Sequence, residues 1–337
     1  MISAIWVNCM KFYKRVFVKM AEWLPDDVYL KLVYYAKFHR RLNLKCPVTY
    51  TEKLNWLKLH DRKMKYHEIV DKYEAKNYVT QILGDRYIIP TYGVWERFED
   101  IDFSTLPQKF AIKTTHDSCH YALVHNKNEM NINDIRKTIE DGLKKNHYYM
   151  CREWPYKDLR PRIIAEELIS DNPPDDYKFF MFHGKMDSVM VCTERATGHP
   201  KFRFYDQDWN RLYYQKTDRE PATDVKMPAN FLEMIKVAET LSTGFVHVRV
   251  DLYNVNEHVY FGELTLYDNG GFDLDITYET DLLWGRKMDL SCVSDNYASN
   301  KDKNRMQHTL QKIVLDCEAH PAAFFHCVRN MYCRRVV

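Results

Sequence analysis

Apolar and polar positions follow two different periods along this chain, and the change of period divides it. Ahead of residue 85 the spacing is helical. Leu54, Trp56, Leu57 and Leu59 form an apolar face behind the break at Pro47, with Thr51 as the expected N-cap before Glu52. A second helical run covers residues 66–82 and stops at Gly84, so residues 24–80 read as mainly helical. From Tyr87 the apolar runs shorten, and Pro90 and Pro107 punctuate them, which predicts strands. Residues 110–113 form one such strand, leading into a polar turn at 114–118. Residues 133–145 return to the helical period, and 162–166 read as a buried strand. The run Asp-Asn-Pro-Pro-Asp-Asp at 171–176 predicts a loop between two lobes. Residues 177–182 and 186–193 predict a hairpin about His183-Gly184-Lys185. A helix at 229–241 follows, then a second hairpin from 246–253 and 258–266.

Composition narrows the class. Apolar residues make up 45% and charged residues 28%, ordinary values for a globular chain. No run approaches the ~18 apolar residues of a spanning helix. With 49 basic and 47 acidic side chains the formal charge is +2, which excludes a nucleic-acid protein that binds by bulk positive charge. The length of 337 residues suggests two domains. Only 10 glycines are present, and neither G-x-G-x-x-G nor G-x-x-x-x-G-K-[ST] occurs. H-E-x-x-H and G-x-S-x-G are absent as well. Nine cysteines without a C-x-x-C pair predict reduced thiols in a cytoplasmic protein. Aromatic and basic residues mingle at both ends, at 1–24 and 324–337, a pattern that suits either a packed helix or a peripheral contact with the inner membrane surface.

The chemistry gathers on the second hairpin. Strand side chains alternate faces, so Arg249 shares a face with Asp251, and Glu263 with Thr265. A loop with an odd number of residues, centred on Glu257, sets Asp251 opposite Glu263 and Arg249 opposite Thr265. A loop with an even number would put them on opposite faces. Asp251, Glu263 and Thr265 together would be a hard oxygen site for Mg²⁺, with Arg249 placed to meet a phosphoryl group. An exposed cross-strand charge pair is the other reading of the same residues. Lys113 ends a strand ahead of the loop at 114–120, where a lysine can hold phosphate oxygens. Glu166 and Glu167 end a strand that crosses between lobes, where backbone groups can meet an adenine edge and a carboxylate a ribose.

The order of these pieces resembles the ATP-grasp superfamily. At family level the stretches PVTYTEKLNWLKL (47–59), KTTHDS (113–118), REWPYK (152–157), RIIAEE (162–167), DYKFF (176–180), FYDQDW (204–209) and FGELT (261–265) resemble the TupA-like ATP-grasp family, associated with bacterial cell-surface polysaccharide synthesis. The resemblance covers about residues 28–290. It implies an α+β fold with two antiparallel-sheet lobes, at 86–170 and 171–290, between a helical region at 1–85 and a tail at 291–337. It implies ATP and Mg²⁺ as cofactors and a ligase that phosphorylates a carboxylate and then transfers the acyl group to an amine. Lys113 and Ser118 would then belong to the phosphate loop, and Glu166, Glu167, Leu168 and Ile169 to the adenine hinge. Asp176 would meet the ribose and Lys178 would be a second cationic contact. Asp251, Glu263 and Thr265 would hold the metal, with Arg249, Arg195 and Arg203 as catalytic or substrate contacts. The acceptor would be a uronic-acid or peptide carboxylate, with lipid-linked glycans included in that class, and the donor an amine. The chain departs from the pattern at Cys119-His120, where glycines are usual and bulk would hinder the phosphates, at Thr265 in place of asparagine, and at Asp268-Asn269-Gly270-Gly271.

Two other classes stay open on sequence. Asp206-x-Asp208 is the kind of pair that holds a metal on a nucleotide-sugar, which would make the chain a glycosyltransferase. The bulky phosphate loop would also suit a non-catalytic nucleotide-binding assembly protein.

Overall fold

The computed structural model describes residues 23–216, 220–221 and 223–293. The described chain begins with four helices, α1 (Asp26–Phe38), α2 (Tyr50–His60), α3 (Lys65–Val70) and α4 (Glu74–Leu83). Strands β1 (Thr91–Trp95), β2 (Phe110–Thr114), β3 (Tyr121–Val124) and β4 (Ile163–Glu167) form a four-stranded sheet in the order β1-β4-β2-β3. Helices α5 (Ile132–Leu143) and α6 (Tyr148–Cys151) lie between β3 and β4 in sequence. A six-stranded sheet, ordered β10-β9-β5-β6-β7-β8, contains β5 (Asp176–Phe182), β6 (Lys185–Thr193), β7 (Lys201–Tyr205), β8 (Arg211–Leu212), β9 (His247–Val255) and β10 (His258–Thr265). Helix α7 (Phe231–Leu241) precedes β9 and α8 (Tyr278–Lys287) follows β10. Every strand pair is antiparallel, so the expected α+β class with two antiparallel sheets is the one observed. Among the described residues no helix is long and apolar enough to cross a membrane. The expected membrane-facing ends lie, but for residues 23 and 24, outside the described residues.

Two helix expectations change. The N-cap of α2 is Thr49, not Thr51. Its hydroxyl accepts from the Glu52 backbone and the Glu52 carboxylate accepts in return, a reciprocal pair that satisfies two otherwise orphaned donors. Thr51 bonds instead to Asp281 on α8, through its backbone N at 2.8 Å and its hydroxyl at 3.0 Å. The expected single helix over 66–82 is two helices broken at Asp71. Its carboxylate accepts from the backbone N of Tyr73 and Glu74 at 2.9 and 3.0 Å and starts α4 afresh. The break also frees the Lys72 backbone N, which donates to Thr115 O at 2.9 Å.

The larger core lies about the six-stranded sheet. One face packs Phe179, Val189, Val250 and Leu252 with Phe231, Met234 and Val237 of α7; the other packs Phe180, Phe204 and Trp284 with Tyr50 of α2. A smaller core fills the space between the four-stranded sheet and Ile135 and Ile139 of α5. Helix α2 also carries polar anchors. Fully buried Lys58 donates to Cys151 O at 2.9 Å, Gly270 O at 2.5 Å and Asn55 Oδ1 at 2.9 Å, and Asn55 donates to Gly271 O at 2.7 Å. These bonds satisfy the carbonyls of the loop after β10, whose Asn269, Gly270 and Gly271 all take positive φ. Buried His247 on β9 bonds Tyr50 Oη and Met181 O, each at 2.9 Å, and burial holds its imidazole down to about 3.

Lys58→Met removes the shared donor and strands buried carbonyls; chemical denaturation should show a loss of about 2–4 kcal/mol. His247 is neutral when folded and readily protonated when unfolded, so its contribution is complete above ~pH 6.5 and shrinks as pH falls toward the folded value. Buried His116, also lowered by burial, acts in the same direction. Between about pH 6.5 and 4.5, stability should fall by up to ~1.4 kcal/mol per pH unit on account of His247, with His116 adding to the fall. A denaturation series with His247→Gln should show a shallower slope, and an unchanged slope would refute the assignment.

Candidate active site

The site is built on β9 and β10. Their loop holds two residues, Asn256 and Glu257, both at positive φ as the tight hairpin requires. The expected odd-numbered loop is therefore absent. A two-residue loop alone would carry Glu263 to the far face. A β-bulge at Gly262 supplies the missing residue and restores the register, so that Glu263 faces Asp251 and Thr265 faces Arg249. The position admits little but glycine, since a Cβ there would lie 2.9 Å from the Asp251 carbonyl oxygen.

Arg249 is the centre of the cluster. Its Nε and Nη2 each donate to Asp251 at 2.7 Å, and Nη2 also reaches Glu263 Oε1 at 3.0 Å and Thr265 Oγ1 at 3.2 Å. Nη1 pairs with buried Asp268. Lys178 on β5 lies opposite Asp251, with Nζ 2.5 Å from Asp251 Oδ2 and 2.6 Å from Asp176 Oδ2. Burial alone would lower Lys178, and Asp176 and Asp251 raise it instead. Burial likewise works against charge on Glu263, yet Arg249, Lys178 and Lys72 bring it down to about 2. The Glu263 side chain keeps 44% of its surface open. Arg195 borders the same cluster; it donates to Pro174 O at 3.0 Å, and its guanidinium lies 5.7 Å from the Tyr253 ring centre.

The four-stranded sheet presents Ala111, Lys113, Ile164 and Glu166 on one face, away from the α5 core. Lys113 pairs with Glu166, whose other oxygen is 2.8 Å from Lys76 Nζ of α4. Burial disfavours the Glu166 charge, and the two ammonium groups outweigh it and lower the carboxyl. Lys72 joins the two sheets. Its ammonium donates to Asp117 O in the loop after β2, and both Glu263 and Lys113 act on it electrostatically. Sequence reasoning missed Lys72, Lys76 and Asp268. The unbroken helix expected over 66–82 concealed the first two.

The loop at 114–120 closes on itself. Thr114 N donates to His120 O at 3.0 Å, and Asp117 accepts from the Thr114 hydroxyl and pairs with the His120 ring. Ser118 and Cys119 are exposed at its tip. Glu167 is in register with Phe110, so it points to the opposite face from Glu166 and Lys113. Leu168 and Ile169 are half-buried and begin the crossing from β4 to β5.

Two sequence candidates stand apart. Arg203 is aligned through Val191 and Tyr177 with Leu252, which places it on the face of the sheet opposite Asp251. It is buried there against Pro221 O at 2.5 Å and the Asp224 carboxylate. The strand period that exposes Asp251 on one face turns Arg203 to the other, so it is not a contact of this site. Asp206 makes the β7–β8 turn: its carboxylate accepts from the backbone N of Asp208 at 2.9 Å and of Asn210 at 2.8 Å. That is the ordinary work of an aspartate in a turn.

The donor set suits a hard divalent ion. Asp251, Glu263 and Thr265 supply two carboxylates and a hydroxyl, and Glu263 is open on one side. Among the described residues no group of three or more His, Cys, Asp and Glu side chains is placed to hold a metal ion, so a metal here would rest on fewer protein carboxylates. Two carboxylates with substrate oxygens completing the shell is the usual arrangement for Mg²⁺.

No curated protein matches the chain significantly. Among solved structures it is similar to D-alanine–D-alanine ligase from Helicobacter pylori, at 14% identity and a TM-score of 0.39, covering 71% of this chain and 69% of that one. The corresponding ligase from Bacillus anthracis is 15% identical at a TM-score of 0.35, covering 59% of this chain and 57% of the other, less than two thirds of its length. An L-amino acid ligase from Bacillus licheniformis is 10% identical at a TM-score of 0.35, over 59% of this chain and 40% of that one. Likenesses of that size carry no argument alone. The family model described as TupA-like ATPgrasp, however, matches residues 52–289, a span that runs from the α2 capping box past the Asp251–Glu263 pair to the end of α8. The chain belongs to the TupA-like ATP-grasp family.

Proposed function

We propose that the protein is an ATP- and Mg²⁺-dependent carboxylate–amine ligase that modifies a bacterial cell-surface polysaccharide or its precursor. The observation that carries this is the Asp251–Glu263–Thr265 oxygen set held by Arg249, with the Lys72 ammonium close enough to feel both Glu263 and, on the other sheet, Lys113. The glycan context comes from the family resemblance. In this reading residues 86–170 and 171–290 are the two lobes, and the protein works in the cytoplasm.

A carboxylate oxygen of the acceptor attacks the terminal phosphorus of ATP, the bond to ADP breaks, and an acyl phosphate results. The amine then attacks the acyl carbon, phosphate leaves, and the amine loses a proton. Lys113 and Lys72 hold phosphate oxygens as point charges, with the loop at 114–120 beside them. The crossing at 166–169 meets the adenine, and Asp176 the ribose. Asp251 and Glu263, with Thr265, would hold the magnesium ion, which when bound offsets charge on the phosphate oxygens. Arg249 fixes both carboxylates in place and lies where negative charge accumulates. Arg195 is positioned to meet the acceptor.

The test is ADP release from ATP, screened against amino acids paired with uronic-acid or peptide acceptors. Turnover should require both substrates, and turnover without an amine would sink the ligase reading. Asp251→Asn and Glu263→Gln should each lower the rate by about 100-fold or more. Asp206→Ala should leave it within about twofold, since that side chain only shapes a turn. Sugar transfer lost at Asp206 and Asp208 but kept in Asp251→Asn would make the protein a glycosyltransferase. A folded sample that ATP and Mg²⁺ together do not stabilise against heat would make it an assembly protein.

A further inference from the structure

The β5–β9–β10 face contains more than a set of ligands. Asp176, Asp251, Glu263 and Asp268 bring four carboxylates together, and Lys178 and Arg249 are the two cations bonded among them. The two cations differ in kind. Arg249 is bidentate on Asp251 and tied to three further side chains, so it is fixed. Lys178 is a flexible stem ending in a compact charge, and its Nζ lies 2.5 Å from the Asp251 oxygen Oδ2. The same Oδ2 also accepts from Arg249 Nη2 at 2.7 Å, so both of its lone pairs are engaged, and a divalent ion can take that oxygen only by displacing one of the two cations, of which Lys178 is the movable one.

We infer that Lys178 is a built-in counter-cation that occupies Oδ2 of Asp251 and thereby makes metal binding depend on nucleotide. This rests on the proposed assignment of Asp251 and Glu263 as metal ligands. The physical reasoning is competition. With no nucleotide present, a divalent ion must displace an ammonium from a buried carboxylate and take from it one of its two bonded carboxylates. Nucleotide phosphates offer Lys178 a replacement anion and complete the shell of the ion, so both barriers fall together. Asp176 gives Lys178 a second partner at 2.6 Å, which lets the ammonium move without being stranded.

Binding of Mn²⁺, followed by electron paramagnetic resonance with and without ADP, tests this without reference to turnover. Wild-type protein should bind Mn²⁺ weakly alone and tightly with ADP. Lys178→Gln removes the competing charge and should tighten Mn²⁺ binding without nucleotide by at least ~10-fold. Lys178→Arg keeps a competing cation and should resemble wild type. Circular dichroism confirms that each variant is folded; if Lys178→Gln is not, Lys178→Met serves in its place. Equal Mn²⁺ affinity in wild type and in the neutral variant without nucleotide overturns the inference. If Asp251→Asn still abolishes binding of Mn²⁺ with ADP in that case, the metal assignment stands alone. No Mn²⁺ bound by any form, even with ADP, overturns both.

Discussion

The bidentate bond between Arg249 and Asp251, buried on the face of β9, is the interaction on which the rest of the site depends. A guanidinium taken out of water is tolerable only where its donors meet fixed acceptors, and here they meet Asp251, Glu263, Thr265 and Asp268. The same requirement works in the other direction. Three carboxylates gathered within reach of one another would repel, and one would take up a proton, if a cation did not lie between them. Arg249 therefore keeps the carboxylates close and draws Glu263 down, while on fully buried Asp251 it opposes the rise that burial causes without cancelling it. That explains why Glu263 stays ionised deep beside the sheet, at about 2, while it remains open enough to accept another partner.

This arrangement needs Asp268 held rigidly, and the helical region supplies the hold. Asp268 begins a loop that turns through three consecutive positive-φ residues, so its carbonyls cannot be satisfied by a regular ladder. Lys58 and Asn55 of α2 meet the carbonyls of Gly270 and Gly271 instead. Helix α2 is in turn fixed at its start by the Thr49–Glu52 capping box and by Thr51 on Asp281 of α8. The charged residues of the α2 segment thus act at a distance. They do not reach the site; they set the loop that sets Asp268, which completes the shell of Arg249. A helix that reads as surface-amphipathic is in fact a buried strut with two polar side chains on its inner face.

How much of this could be read from sequence depended on whether a residue's role followed from its own strand. The hairpin faces followed from period two, and Asp251 does meet Glu263. The route was different. The loop has two residues, and the compensating residue is Gly262, a lone glycine inside a strand pattern, which is itself the usual sign of a bulge. Arg203 could not be assigned without knowing which strands are neighbours, because only the chain of registers through Val191 and Tyr177 shows it on the far face. Lys72 was hidden for another reason. Helical periodicity runs smoothly across residue 71, and the break comes from a side-chain bond of Asp71 to the next backbone amides. The division into two sheets was legible, since a Pro-Pro segment cannot continue either neighbouring strand, and β4 of one sheet and β5 of the other lie on either side of it.

The loop after β2 shows how a glycine-poor chain can solve a problem usually met with glycines. Cys119 and His120 were expected to crowd any phosphate held at the loop. His120 instead turns toward α5, with its ring paired to Asp117 and its Nε2 2.9 Å from Lys145 Nζ. The space it needs is opened in the helix: a Cβ on Gly142 would lie 2.6 Å from the His120 Cβ. Glycine has in effect moved from the loop to the surface the loop packs against. The backbone of 115–119 is then shaped by side-chain bonds rather than by free φ, and a loop held that way loses less conformational freedom when a ligand arrives. The bulk of His120 is therefore taken up by packing toward α5, while Cys119 stays exposed at the tip of the loop.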